Sequence, residues 1–389
     1  MIGAGLGFGC GSKNQVVDPG DGGPSILITA PLAGASVSGI GFYVTGSVAA
    51  SDSVSIVRMS IEGDAYDSAT SALGAPSIPF SFYVPSALFD PSVDLAIVIE
   101  GVDNSGEKST TTRTVDPREP ALRFIGFGSD TEREPAWSPG GDEIAYTSEG
   151  DLGNRDIYVI DELGLTPEQI TTNVNEDRSP TWSPDGQYIG FASNRAGNWD
   201  IWTVNRSTDA LSQITTNGAS DEGPAWSPRG DEIAFHSKRD ANANIYSVGV
   251  LGGAVNGIPE RHTAVASSES LAVWIGKNGE KLAFESNQNV SRDIWMVTPP
   301  DVTITSVEGA NDPAFAETDP HYSRLGDFLV MAYNRNANFD IWVVHPPSGT
   351  KRVLAANPAS DREPVWSRQG DKIAFASNRN GTYDIWILE

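Results

Sequence analysis

From residue 121 to the C-terminus, apolar and polar positions alternate in short runs such as Glu232-Ile233-Ala234-Phe235, and the apolar members are mainly Ile, Val, Phe and Trp. Alternation with period two in β-branched and aromatic residues predicts strands. Tight-turn signals separate the runs. In Ser183-Pro184-Asp185-Gly186 the proline presets φ and the glycine supplies a left-handed residue, which suits a hairpin. The whole pattern repeats. Aligned on their first aromatic, six copies are marked by Trp137, Trp182, Trp226, Trp274, Tyr322 and Trp366, spaced 44 to 48 residues apart. Each copy passes through the aromatic, the turn, an alternating run, a Ser-Asn-Arg-like loop, an Asp-Ile-Trp-like run and a final run of the Gln213-Ile214-Thr215-Thr216 type. Four short strands per copy make one twisted sheet, and a period in this range belongs to propeller blades or to a solenoid.

The chain ends decide between a closed ring and an open array. The sixth copy stops at Glu389, after its third strand. Residues 121–127 align with the run Ala210 to Thr216 and are expected to supply the missing outer strand, so that the ring closes and no sheet edge is left exposed. The expected fold of residues 121–389 is an all-β, six-bladed β-propeller.

Residues 24–117 also show only strand-like runs, at Ser25 to Thr29, Gly41 to Val48, Val54 to Ile61, Ile78 to Val84, Leu95 to Gly101 and Ser109 to Val115, separated by Gly, Pro, Asp and Ser clusters. Regular spacing of short strands predicts an antiparallel β-sandwich. Asp116-Pro117-Arg118-Glu119-Pro120 is the expected linker between the two domains, kept extended by its prolines. Residues 1–23 are expected to be a signal-like remnant followed by a flexible tether.

Trp182-Ser183-Pro184-Asp185-Gly186, Phe191-Ala192-Ser193-Asn194-Arg195 and Asp200-Ile201-Trp202 carry a family resemblance. With their five companion copies, they make residues 121–389 resemble the propeller domain of TolB and the wider class of TolB-like, WD40-like (PD40) repeat proteins of bacterial envelopes. The resemblance implies protein contacts at the propeller mouth, as TolB uses for its lipoprotein and translocation partners. TolB places a small α/β domain before its propeller, and this chain has strands there instead. Those strands, from Pro31 through Gly46, Val54 to Gly63 and Asp103-Asn104-Ser105-Gly106, resemble bacterial Ig-like modules, without the Cys and Trp of antibody domains.

Charge and cysteine usage narrow the setting. A net charge of -25 makes nucleic acid and anionic lipid surfaces poor partners and cationic partners better ones. No run of about twenty apolar residues is present to form a transmembrane helix. The single cysteine lies in Leu6-Gly7-Phe8-Gly9-Cys10-Gly11-Ser12, which resembles the end of a bacterial lipoprotein signal and makes Cys10 a candidate lipidation site. That implies a periplasmic or surface lipoprotein, touching the membrane only through its anchor; a monomer is expected.

Three columns recur at equivalent positions. The aromatic column is expected to pack between blades. Asp156, Asp200, Asn244, Asp293, Asp340 and Asp384 precede the third strand and are expected to tie the preceding loop, with Arg195, Arg335 and Arg379 as local partners. Glu132, Asp177, Asp221, Glu269, Glu317 and Asp361 stand just before each innermost strand and are acidic in every copy; the place of Glu269 assumes one extra residue in the turn after Trp274. Six carboxylates at one mouth of the channel, with Glu134, Asp319 and Glu363 nearby, read either as turn caps or as a site for a basic peptide or a calcium ion. Arg133, Arg178 and Arg362 partly offset them.

Catalytic motifs are sparse. The four histidines, His236, His262, His321 and His345, show no metal-helix spacing, and no Gly-x-Ser-x-Gly elbow appears. The function expected is therefore a non-enzymatic envelope binding or scaffold protein. The alternative is a carbohydrate-active enzyme or glycan-binding protein using the same mouth, since abundant carboxylates leave a two-acid glycosidase open.

Overall fold

The computed structural model describes residues 16–17, 24–30, 36–37, 41–50, 54–61, 64–70, 77–85, 95–117, 121–126, 130–150, 153–289, 291–324, 327–335 and 337–389. Cys10 lies outside them. The chain divides into two compact units, residues 1–119 and 120–389. No helix among the described residues is long and apolar enough to cross a membrane.

The described residues of the first unit form two sheets. One orders Val16–Val17, Ser25–Ala30, Gly41–Ala49 and Ser77–Pro85 as antiparallel neighbours. The other orders Ser36–Val37, Lys108–Pro117, Leu95–Asp103, Val54–Ile61 and Asp64–Thr70, with its first pair parallel. Alternate residues of Leu95–Asp103 are buried, and Ile97 and Ile99 share one core with Ile26, Ile28, Phe80 and Phe82 of the other sheet. All six expected strands are present. Asp64–Thr70, which the sequence reading missed, has too few apolar residues to signal a strand and is held by pairing with Val54–Ile61. The expected linker needs correcting: Asp116 and Pro117 belong to the last strand of this unit, opposite Ser36 and Val37.

In the second unit the described residues form six sheets, five of them following chain order outward from an innermost strand. The innermost strands are Thr131–Trp137, Asp177–Trp182, Asp221–Trp226, Glu269–Ile275, Glu317–Tyr322 and Asp361–Trp366. Neighbouring sheets bury apolar side chains against each other; Ile157 and Val159 of the first blade, for example, pack with Trp182 and Phe191 of the second. At about 1.5–3 kcal/mol per buried large apolar side chain, these contacts are the main stabilising term.

The last sheet is completed from the start of the unit. Leu122–Phe124 pairs antiparallel with Asp384–Leu388, setting Leu122 opposite Leu388 and Phe124 opposite Trp386. Ala121 and Glu389 exchange backbone hydrogen bonds at 2.7 and 3.0 Å, and Ile125 N–H donates to Ile385 at 3.1 Å. Ile144 and Tyr146 of the first blade share a core cluster with Ala374, Ile385 and Ile387 of the last, so the ends of the ring are packed as well as paired.

Candidate functional site

Every innermost strand has the same irregularity. Its register against the second strand shifts at one point, between Arg133 and Ala136 in the first blade and at the equivalent place in the others. One residue there takes a left-handed backbone: Glu134, Ser179, Gly223, Leu271, Asp319 or Glu363. Five of the six positions therefore hold a non-glycine residue with φ between 48° and 57°, an unfavourable state for an L-residue that neighbouring contacts must hold. Pro135, Pro180, Pro224 and their counterparts follow the bulge in five blades, where a proline suits a point at which the ladder is already broken.

The bulges ring the waist of a central cavity of about 580 Å³, lined by all six blades. Glu134, Asp319 and Glu363 sit at this waist, on three consecutive blades, and are linked in sequence. Asp319 N–H donates to Glu285 Oε1 at 2.7 Å, Glu363 N–H to Asp319 Oδ2 at 3.3 Å, Glu134 N–H to Glu363 Oε2 at 2.7 Å, and Ser179 N–H to Glu134 Oε2 at 2.8 Å. Each carboxylate thus satisfies the bulged amide of the next blade. Burial pushes the Glu285, Asp319 and Glu363 carboxyls up; the charge of Glu285 adds to the rise at Asp319, and those of Glu134 and Asp319 add to the rise at Glu363. Arg133 against Glu363, Arg292 at 2.8 Å from Glu285 and Arg362 at 3.7 Å from Asp319 offset part of it.

Beyond the waist the wall consists of Trp137, Trp182, Trp226, Trp274, Tyr322 and Trp366, then the turns that follow. The aromatic column thus packs between blades and also lines the cavity. Trp182 Nε1 donates to Ala136 of the preceding blade at 3.1 Å, and Trp274 Nε1 to Ala225 at 3.0 Å. His321 is in the wall too; its Nδ1 accepts Trp366 N–H at 3.2 Å, and burial lowers its pKa to about 4, so it is neutral.

The six-acid column occupies a different place. Glu132, Asp177, Asp221, Glu269, Glu317 and Asp361 are all buried at the first or second residue of the innermost strands, and none of them lines the cavity. Five show bonding close to their own blade's loops. Asp177 takes Arg195 Nη2 at 2.7 Å and Asn173 Nδ2 at 2.8 Å; Asp361 takes Arg379 Nη2 at 2.9 Å on both oxygens and Asn357 Nδ2 at 3.0 Å. Asp221 is held by Arg239 Nη2 at 3.0 Å on both oxygens. Glu269 takes the hydroxyls of Ser267 and Ser286 at 2.6 and 3.2 Å, and Glu317 accepts Asp312 N–H at 3.2 Å. Arg195 and Arg379 therefore serve this column and not the Asp156 column to which the sequence reading assigned them. No group of three or more His, Cys, Asp or Glu among the described residues is arranged to hold a metal ion.

The Asp156 column ties the outer strand inward. Thr171 Oγ1 donates to Asp156 at 3.1 Å while accepting Ile157 N–H at 3.0 Å, and Thr215 does the same with Asp200 and Ile201 at 3.2 and 2.9 Å.

Sequence reading missed Glu285 and four cations, Arg229, Lys277, Arg324 and Arg368, that line the cavity in the turns after the innermost strands. The signal was a departure from the repeat: Ser-Pro in the first three turns becomes Ser323-Arg324 and Ser367-Arg368 in the last two.

Residues 124–247 match the family described as PD40, TolB beta propeller domain. No curated protein matches the chain. Among solved structures, TolB from Acinetobacter baumannii is 22% identical with a TM-score of 0.50, covering 70% of this chain and 62% of that one, so the chain spans less than two thirds of that relative's length. A putative TolB from Agrobacterium tumefaciens is 18% identical with a TM-score of 0.54, covering 69% and 98%. An oligogalacturonate lyase from Vibrio parahaemolyticus is 14% identical with a TM-score of 0.50, covering 75% and 96%. At these identities the likeness is one of fold, and the fold hosts an enzyme as well as TolB. Residues 124–247 are thus similar to the TolB beta propeller domain family, and the unit that contains them has the β-propeller fold of the TolB structures.

Proposed function

We propose that this chain is a non-enzymatic binding protein of the bacterial cell envelope, and that its propeller takes a segment of a protein partner into the central cavity. One observation carries this reading: a cavity of about 580 Å³ is walled by an aromatic side chain from every blade and by prolines from five, above carboxylates already engaged with backbone amides. A largely apolar concavity with a few fixed polar groups is the usual form of a recognition site. In this proposal Cys10 carries a lipid anchor, residues 24–117 form an Ig-like spacer, and the partner is a protein and not a nucleic acid, in keeping with the net charge of -25.

Affinity capture from envelope extract, with crosslinks mapped by mass spectrometry, tests the reading. Val365 lines the cavity, and Val365→Trp narrows it. Partners crosslinked to lining residues of the wild type and lost with the folded variant support the proposal; identical capture by both rejects it. Mass spectrometry of the N-terminus in the native host tests the anchor separately.

One observation favours a second reading, a carbohydrate-active enzyme: Asp319 and Glu363 lie in the cavity wall with carboxyl pKa values raised by burial, a condition that suits general acid chemistry. Turnover of an oligosaccharide that Asp319→Asn abolishes would establish it in place of the first.

A further inference from the structure

The cavity has opposite charge at its two ends. Glu134, Asp319 and Glu363 occupy the waist; Arg229, Lys277, Arg324 and Arg368 line the other end, in the turns of four consecutive blades. Three acids of the same turns do not line the cavity: Asp231 and Asp371 accept the hydroxyls of Ser227 and Ser367 at 2.9 and 2.8 Å, and Glu280 accepts Asn278 Nδ2 at 3.0 Å. Arg229 has one exposed ion pair, with Asp231 at 3.3 Å. Lys277 and Arg324 are exposed and form no ion pair among the described residues. Arg368 is partly buried and donates to the Pro184 carbonyl at 2.9 Å, and both its burial and the charge of Arg324 lower its pKa. Lys277, Arg324 and Arg368 thus hold positive charge at this end of the cavity with no ion-pair partner among the described residues.

We propose that this turn-side mouth binds an acidic segment of a protein chain, its carboxylates on Lys277, Arg324 and Arg368 and a neighbouring apolar or aromatic side chain inserted between the tryptophan and proline walls. The inference rests on the binding role proposed above and names the chemistry of the partner. Depth argues for a short acidic cluster over a uniform polyanion. From the waist residue Gly223 to Trp226 is three strand residues, about 10 Å. A polymer charged on every unit, such as a polyuronate, carries negative charge down to the waist carboxylates and is repelled there. A polypeptide places its acids at the rim and uncharged side chains below. The planar guanidinium groups of Arg324 and Arg368 suit paired contacts with carboxylates.

The test uses the full chain and a fluorescein-labelled peptide, Trp-Leu-Asp-Glu-Asp-Glu, with Trp-Leu-Asn-Gln-Asn-Gln as uncharged counterpart and tetragalacturonate as a charged glycan, read by fluorescence anisotropy and competition. The acidic peptide is expected to bind roughly tenfold or more tighter than its amide counterpart and to weaken about tenfold on moving from low to high salt, as screening removes the field. Arg324→Glu with Arg368→Glu should cost about tenfold or more in its affinity. Lys277→Glu, in a separate turn, provides the same reading where the double variant fails to fold. Equal affinity for both peptides, or affinity for the acidic peptide unchanged in the folded charge-reversal variants, overturns the inference. Tighter binding of tetragalacturonate with the same arginine dependence overturns it in favour of a glycan. If these results go against the acidic peptide while crosslinked envelope partners are still lost with Val365→Trp, the charge inference falls and the binding role stands.

Discussion

Glu134 N–H donates to Glu363 Oε2 at 2.7 Å, joining the first blade to the last through two residues that hold the same place in the repeat. Both have a left-handed backbone, at φ of 56° and 57°. The bulge that creates this conformation frees an amide from the ladder, and the carboxylate of the preceding blade accepts it. The waist is therefore both strained and cross-linked by hydrogen bonds, and the acids there are structural before they are anything else.

Glu363→Ala should destabilise the propeller by about 2–3 kcal/mol, because it leaves the Glu134 amide without its acceptor and Arg133 without its carboxylate. Glu363→Gln keeps an acceptor oxygen and should cost about 1 kcal/mol less. Urea unfolding distinguishes the two; equal losses would mean that the amide contact contributes nothing.

Removing the closing strand should be more costly. A chain beginning at Gly128 lacks the strand Leu122–Phe124 and exposes the edge of Asp384–Leu388, whereas one beginning at Pro120 retains it. The shorter chain is expected to lose several kcal/mol or to aggregate through its open edge. Matching melting curves and matching light scattering for the two would remove closure as a source of stability.

Asp221 is fully buried and takes both contacts from Arg239, which also donates Nε to Ser237 at 2.8 Å. Asp221→Asn should cost about 3 kcal/mol, since a largely buried guanidinium is left without its counter-charge. Replacing Arg239 by Gln in the same chain should recover part of that loss. A double-mutant cycle with no coupling would show that the pair acts as two independent caps.

Stability should fall with pH through one acid in particular. Burial pushes Glu317 up to about 8, from an ordinary value of 4.5, with the Asp312 amide opposing the rise. A carboxyl whose folded pKa is raised favours folding fully below the unfolded value, and that contribution is lost as pH rises from about 4.5 through about 8. Glu317→Gln should therefore flatten the fall in melting temperature across this window and gain about 3 °C at pH 8.5 relative to wild type. The opposite sign, a variant that loses more than wild type at high pH, would mean that Glu317 is ionised and bound in the folded chain.

Much of the architecture was legible from local pattern alone. Strand positions follow from period-two alternation and the turns from Ser-Pro-Asp-Gly chemistry, because both depend on residues near one another along the chain; the closing strand, which pairs across the whole unit, was legible because residues 121–127 repeat the pattern of an outer strand elsewhere. What no repeat column displays is which side chains meet across blades. The acid column reads on paper as a ring at a mouth, yet Asp177, Asp221 and Asp361 are turned into their own blades by Arg195, Arg239 and Arg379, eighteen residues further on. The residues that do gather at the waist, Glu134, Asp319, Glu363 and Glu285, come from four different copies, and the last lies on a second strand with no acidic counterpart in the others. Ring closure brings them together, and burial then raises the pKa values of Glu285, Asp319 and Glu363, so both the cluster and its electrostatics depend on tertiary structure. The basic turn residues show the same division: sequence contains the substitutions at Arg324 and Arg368, and only the shared cavity turns them into one positive mouth.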